Sequence, residues 1–413
     1  MRNQLIFKLW QFPHLSETFI TSQIITAINC GFEVKILVKE VLSFKESKQI
    51  ELLEKYNIEE KIILEDYAIP KNKILRLGIA FWLLIKNIKS LAKIIKFYKY
   101  QNTFSLSWLY QFVFYKQFKH VSVIHIQYGT NKSPLDVLKK IKALKASLIV
   151  SFHGHDAFFP INGFIPNNGY YTHLFSVTNA IVANTPYLAK KLEGLGCPPE
   201  ILKIIPVGVD TSFFYPKQKK PILSKTFKLM MVGRLDPVKG HIFAFKAMTI
   251  LKNKGYDIKL TLVGEGAERP NLERYITEHH LENQIQLLGA KSQEDIRSLL
   301  WEHQLFIFPS VSLPDGRRET QGLAPIEAQA CGVPVVAFNS GGVKYTVKNG
   351  VTGFLCEEEN TIELSDKIEK LILEPELLLK MEEQAITFIE TNFSKEIIDK
   401  RWETLYKNKN FED

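Results

Sequence analysis

The sequence predicts an α/β chain built as two Rossmann-like, doubly wound domains facing across a cleft. Three observations carry this. Short apolar runs alternate with helix-length stretches, as parallel βαβ units require. The alternation starts again past mid-chain. The 413 residues suffice for two domains of roughly 200 residues each. In the first half the strand signals are Val34 to Val38, Val121 to Ile126, Ser147 to Phe152, Ala180 to Ala183 and Leu202 to Pro206. In the second they are Leu229 to Val232, Lys259 to Val263, Ile285 to Leu288, Leu305 to Phe308 and Val333 to Ala337, with amphipathic stretches such as Ile242 to Lys252 and Gln293 to Leu300 between them. Tyr215 to Lys225 (YPKQKKPILSK) has the Pro- and Lys-rich composition of a linker. The expected domains are therefore residues 1–217 and 222–394. No internal repeat or low-complexity segment is visible, which argues against solenoids and propellers.

Composition narrows the class. A chain 46% hydrophobic and 23% charged is globular, and disorder, collagen and coiled coil are excluded. Cys30, Cys197, Cys331 and Cys356 form no C-x-x-C pair, so they are expected to be reduced, with neither disulfide framework nor structural zinc. Met1 to Trp10 holds too short an apolar run for a signal peptide, and no segment reaches the ~20 apolar residues of a spanning helix. A cytoplasmic location is expected. The 53 Lys+Arg and 44 Asp+Glu give a net charge of +9, which hides two opposite halves. Residues 1–225 carry 30 basic and 15 acidic side chains, and the remainder 23 and 29.

The chemistry-bearing motifs follow strands. Glu319-Thr-Gln-Gly322-Leu323-Ala-Pro-Ile-Glu327 lies beyond the strand ending at Phe308, and Gly332 and Pro334 lead into the next strand. Two acids eight residues apart, one on a loop and one on the first turn of a helix, suit hydrogen bonds to two sets of sugar hydroxyls. A lone acid there would be read as a complement to the helix dipole. Gly233 and Arg234 end another strand, and Lys239-Gly240 precede the helix from His241, so two cations and a helix start converge on a spot that suits a diphosphate. His153 closes the strand Ser147 to Phe152 and belongs to a His153-Gly154-x-Asp156 cluster. The cluster lacks the third, separated ligand of a zinc site. Gly264-Glu-Gly266 lacks the third glycine of a dinucleotide fingerprint, Arg269 standing in its place, so oxidoreductase chemistry is disfavoured.

The E-x7-E block resembles that of the retaining, GT-B-fold glycosyltransferases of family 4. The Asp315-Gly316 and Glu319-Thr-Gln-Gly322 form is similar to the exopolysaccharide and colanic-acid branch. The resemblance extends through Phe12-Pro-x-x-Ser16-Glu17, His153-Gly154-x-Asp156, Ile205-Pro-x-Gly208-Val-Asp210, Val232-Gly-Arg234, Lys239-Gly240, Val263-Gly264-Glu-Gly266, Ser340-Gly-Gly342 and Gly350-x-Thr352-Gly353. It departs after Gly342, where Lys344-Tyr345 replaces the usual Pro-Glu. It implies a UDP- or GDP-sugar donor held by Gly233, Arg234, Lys239, Gly264, Glu319, Gly322, Leu323 and Glu327. In this picture Glu327 bonds the ribose, Glu319 positions the sugar, Arg234 and Lys239 stabilise the leaving diphosphate, and His153 contacts the transferred sugar. Glu17, His125 and Asp156 are the candidates for acceptor contacts. No metal or other cofactor is expected, because cations take the place of Mg²⁺, and the absence of any D-x-D fits this. The helical stretch Lys395 to Tyr406 is expected to cross back to the first domain. A nucleotide-sugar epimerase and an inactive glycan-binding scaffold remain open alternatives.

The last signal is a tract without acids. Between Asp66 and Asp136 there is no Asp or Glu, while Lys71, Lys73, Arg76, Lys86, Lys89, Lys93, Lys96, Lys99, Lys116, Lys119 and Lys132 all fall there. Within Lys73 to Lys99 the lysines 86, 89, 93 and 96 are expected on one helical face and Leu84, Ile88, Leu91 and Ile95 on the other, facing inward or lipid. An anionic membrane surface and a lipid-linked saccharide acceptor are the expected partners. Nucleic acid is disfavoured, because no recognition motif accompanies the charge.

Overall fold

The computed structural model describes residues 3–14, 18–47, 49–100, 104–158, 169–217 and 226–408. Two parallel sheets organise it. The first has seven strands: β1 (Gln4–Lys8), β2 (Glu33–Val38), β3 (Ile62–Leu64), β4 (Val123–Gln127), β5 (Ser147–Phe152), β6 (Ala180–Ala183) and β7 (Leu202–Ile204), in the spatial order β3-β2-β1-β4-β5-β6-β7. The second has six: β8 (Phe227–Val232), β9 (Ile258–Val263), β10 (Ile285–Leu287), β11 (Leu305–Phe308), β12 (Val335–Phe338) and β13 (Gly353–Cys356), in the order β10-β9-β8-β11-β12-β13. Both orders reverse beside their first strand, between β1 and β4 and between β8 and β11. Such switch points open a crevice at the carboxyl ends of the strands. The site residues fall on these rims.

The fully buried strands were legible because parallel strands covered on both faces are continuously apolar. β5, β6 and β11 have every residue buried and coincide with the expected bounds. Three strands of these two sheets had no counterpart among those expected. β1 ends in Lys8, which is buried, donates to the Tyr115 hydroxyl at 2.7 Å and lies 3.7 Å from the Glu65 carboxylate. A lysine reads as a strand end or a surface position, and its partners are remote in sequence. β3 is a three-residue edge strand, and β13 begins on a glycine.

The stretch from Lys73 to Lys99 is two helices. Helix α1 (Thr18–Asn29) covers the start of the first sheet, and α2 (Ile50–Lys55) follows β2; α3 (Lys73–Lys86) and α4 (Leu91–Lys99) come after β3. Asn72 caps α3, its side chain accepting from the N–H groups of Ile74 and Leu75. Asn87 stops it, donating to the Leu83 carbonyl and accepting from Lys116. The inward face carries Ala80, Leu83, Leu84, Ile94 and Phe97, which pack into the core over the first sheet. Ile88, Leu91 and Ile95 are exposed. The expected partition of faces is corrected: the break at Asn87 resets the helical phase, so the apolar residues beyond it do not continue the stripe of Leu84.

Most of the expected linker, residues 218–225, lies outside the described residues. The chain passes between the halves a second time further on. After the long helix Pro375–Asn392, Phe393 accepts the N–H of Val209, whose own carbonyl accepts the N–H of Lys395. Helix α4's successors include α5 (His241–Asn253), α6 (Ala324–Ala330) and α7 (Lys395–Tyr406). Helix α7 lies along α1, with Ile398, Trp402, Leu405 and Tyr406 in one apolar cluster with Leu5, Phe7, Phe32 and Val123. Thr26 donates to Asp399 at 2.6 Å. Among the described residues no disulfide joins the four cysteines.

Candidate active site

The rim of the second sheet is built from three close backbone approaches. β8 delivers Gly233 and Arg234 to the rim, and a Cβ on Gly264 would stand 1.9 Å from the Gly233 carbonyl oxygen. Gly240 has φ +66°, and a Cβ there would stand 1.8 Å from the Pro309 oxygen. Only glycine lets this turn sit against the end of β11. The turn, capped by Asp236 accepting from Val238 N–H at 3.0 Å, carries Lys239 to Glu319, and the two form an ion pair. Gly342 makes the third approach: its N–H donates to the Glu319 carbonyl at 2.9 Å, and a Cβ there would meet the Thr320 oxygen at 1.7 Å.

Electrostatics differ sharply between the two acids. Burial alone would push the Glu319 carboxyl up, but Lys239, then Arg234 and the Thr320 N–H, outweigh it and hold it below its ordinary value. Glu319 is thus an ionised acceptor. Arg234 is exposed and has no hydrogen-bond or ion-pair partner among the described residues, so its guanidinium is available to an anion. Glu327, in the first turn of α6, is half-buried and accepts no hydrogen bond from a described side chain. Burial pushes its carboxyl up to about 7. With Leu323 it lines a cavity of ≈540 Å³ between the halves, whose other walls include Phe19, Val207, Gly208 and Trp402. Gly322, at φ +89°, would bring a Cβ to 3.0 Å from Phe308.

The facing rim carries His153, half-buried just past β5. Its Nε2 donates to Gln127 Oε1 at 2.8 Å, and Gln127 Nε2 donates to Gln23 at 2.7 Å. This chain places the proton on Nε2 and leaves Nδ1 an acceptor. The ring lies between Tyr128 and Phe19, with centroids 4.6 and 4.9 Å away. Burial pulls its pKa down to about 3, so the imidazole is neutral. Tyr128 holds φ +66°, a strained conformation for a residue with a side chain.

Two candidates for acceptor contact are corrected. His125 lies within β4, is fully buried, and is held by the Tyr406 hydroxyl at 2.9 Å and Ser151 at 2.7 Å. Helix α7 covers it. Asp156 is also fully buried and accepts the N–H groups of Gly129, His153 and Gly154 at 2.8, 2.9 and 3.1 Å. Both are scaffold: Asp156 fixes the turn that presents His153, and His125 ties β4 to α7. Glu17 lies outside the described residues.

The E-x7-E block also joins the halves, which its sequence did not reveal. Thr320 Oγ1 donates to the His153 carbonyl at 3.1 Å, and its own carbonyl accepts from Thr185 at 2.7 Å. Gln321 exchanges two hydrogen bonds with the backbone of Val207, and Arg318 donates to the Tyr187 hydroxyl. Thr320, beside Glu319, His153 and the segment around Val207 are therefore one hydrogen-bonded unit. Among the described residues no group of three or more His, Cys, Asp or Glu is placed to hold a metal ion, and no helix is long and apolar enough to cross a membrane.

Residues 215–388 match the model of the glycosyl transferases group 1, and residues 83–213 that of glycosyltransferase family 4. The chain belongs to the GT-B glycosyltransferases of family 4. Among its relatives, the glycosyltransferase is 27% identical over 364 residues to the amylovoran biosynthesis glycosyltransferase AmsK of Erwinia amylovora, covering 86% of this chain and 87% of AmsK. It is 25% identical over 408 residues to the putative colanic acid biosynthesis glycosyltransferase WcaL of Escherichia coli K12, covering 97% and 98%. Its fold matches a glycosyltransferase from Rickettsia africae with a TM-score of 0.70 at 22% identity, over 100% and 99% of the two chains. It also matches Anabaena HepE in complex with UDP, with a TM-score of 0.67 at 19% identity, over 96% and 98%.

Proposed function

We propose that this glycosyltransferase moves a sugar, with retention of anomeric configuration, from a UDP- or GDP-sugar to a lipid-linked saccharide in exopolysaccharide assembly. It needs no metal, and it works at the inner face of the membrane. The observation that carries the reading is the Lys239–Glu319 pair, with Arg234, unpartnered among the described residues, beside it, set on the rim opposite a neutral His153. The names of AmsK and WcaL support the pathway. The HepE structure with UDP-glucose supports the donor class.

In the reaction the anomeric C–O bond breaks and its electron pair passes to the departing diphosphate oxygen. Arg234 and Lys239 stabilise that charge, the part otherwise played by a divalent cation. The acceptor hydroxyl bonds to the anomeric carbon on the face the diphosphate leaves, and its proton passes to the same diphosphate oxygen. No side-chain nucleophile or base is required. Glu319 takes hydrogen bonds from the sugar hydroxyls, Glu327 from the ribose, and His153 offers Nδ1 to the transferred sugar.

Lys239→Ala is expected to lower kcat by about 10²- to 10³-fold, the loss typical of one donor to developing charge. The assay uses UDP- and GDP-sugars with a membrane extract, and NMR of the product reports the anomeric configuration. Wild-type turnover in the variant refutes the role of Lys239. An inverted product refutes retention, and interconversion of the nucleotide sugar without transfer makes the protein an epimerase.

A further inference from the structure

Helix α3 is apolar on both sides. Its inner side, with Ala80, Leu83 and Leu84, is spent on the core. Its outer side bears Ile74, Leu77, Phe81, Trp82 and Ile85, at spacings that fall on one stripe, and Ile88, past the break at Asn87, is exposed as well. Ile74 is 82% exposed, Phe81 67% and Trp82 55%. A contiguous exposed stripe of this kind is rare on a protein that meets only water. The charges are arranged around it: Lys71, Lys73 and Arg76 at one end, Lys86 and Lys89 at the other, then Lys93, Lys96 and Lys99 on α4. None of the lysines from 71 to 99 is ion-paired among the described residues, and Lys86 Nζ sits 4.6 Å over the Trp82 ring.

We infer that α3 inserts its outer stripe into the interfacial layer of a bilayer with anionic headgroups, and that the flanking lysines engage those headgroups. An apolar stripe bearing Phe and Trp, bordered by cations with long flexible stems, matches in-plane insertion. A second copy of the chain does not fit. Pairing two such stripes would bring like charges together at both ends, with no carboxylate between Asp66 and Asp136 to offset them. The placement also serves the acceptor. The chain leaves β3 at the carboxyl-end rim of the parallel first sheet eight residues before α3 begins, and β5 delivers His153 to that same rim. A saccharide carried on a lipid would thus reach the cleft from the surface on which the helix lies. This deepens the lipid-linked acceptor reading, but it stands on the helix alone.

The test is flotation of the full chain, without donor, on vesicles of phosphatidylcholine alone or with about one-third phosphatidylglycerol. The chain is expected to float with the anionic vesicles and not with the neutral ones. Lys86→Ala and Lys89→Ala are each expected to lower the partition about fivefold, given a contribution of ~1 kcal/mol per basic residue near such a surface. The double variant Phe81→Asp, Trp82→Asp is expected to stay in the soluble fraction while keeping wild-type circular dichroism and UDP-induced thermal shift, because both side chains project into solvent. No flotation, equal flotation on both vesicle types, or undiminished flotation of the double variant overturns the proposal. So does a concentration-dependent dimer in sedimentation that the double variant abolishes. Because the readout involves no transfer, docking without transferase activity refutes the acceptor reading alone, and activity without docking refutes only the helix.

Discussion

The contrast between Glu319 and Glu327 predicts how donor affinity depends on pH. No described cation offsets the burial of Glu327, which raises its carboxyl to about 7. Half the free protein is therefore protonated there at neutrality. If ribose hydroxyls are held by the carboxylate, the apparent Kd is the intrinsic value multiplied by one plus the ratio of protonated to ionised Glu327. That factor is close to one at about pH 8 and close to ten at about pH 6, so affinity should weaken about tenfold across the interval. UDP-glucose suits the measurement, because its diphosphate, unlike that of free UDP, does not titrate in this range. Isothermal titration at several pH values should give this slope in the wild type, and a weaker, flat profile in Glu327→Gln. A flat wild-type profile, or a slope that survives in Glu327→Gln, refutes the reasoning. Stability provides a check of sign. A carboxyl raised in the folded state stabilises fully below its ordinary value of 4.5, and that contribution is lost as pH rises through about 7. The melting temperature of ligand-free wild type should therefore fall relative to Glu327→Gln across that window.

Two substitutions probe the scaffold. Gly240→Ala places a Cβ 1.8 Å from the Pro309 oxygen. It should displace Lys239 and lower kcat by about 10²-fold, the usual consequence of a misplacement near 1 Å, with the overall circular dichroism unchanged. Trp402→Ala removes a buried ring from the cluster shared with Phe7 and Phe32 and should cost about 3–5 kcal/mol in chemical denaturation.

What the sequence disclosed follows from how local each signal is. β5 was visible because six consecutive buried positions must all be apolar or small. The convergence of Arg234 and Lys239 was visible because a strand end and a helix start lie a few residues apart. β1 was not, because Lys8 is neutralised by Glu65 and hydrogen-bonded by Tyr115, neither near it in the chain. The same reason hides Gln127, whose role is defined only by Gln23 and His153. His125 illustrates the opposite error. A histidine on a strand near the rim looks like a ligand contact until α7, contributed by the far end of the chain, is laid over it. Thr320 and Gln321 stand inside the E-x7-E block, where only the two acids carry a chemical signal. Their partners are more than a hundred residues away, so no spacing rule could show that they also join the halves.

The double crossing at Val209 and Phe393–Lys395 has a consequence for how the protein can be divided. The unit containing the first sheet is discontinuous in sequence, because α7, which covers part of it, is synthesised after the whole second sheet. A fragment cut near residue 217 would lack Trp402, Leu405 and Tyr406 and present the bare apolar flank of α1 and β1 to water. On the ribosome that flank must wait until the entire second sheet has been made. Separate expression of the halves should therefore begin from a fusion or co-expressed peptide carrying residues 393–408, and a stop codon ahead of Lys395 should be read as damage to the half that was translated first.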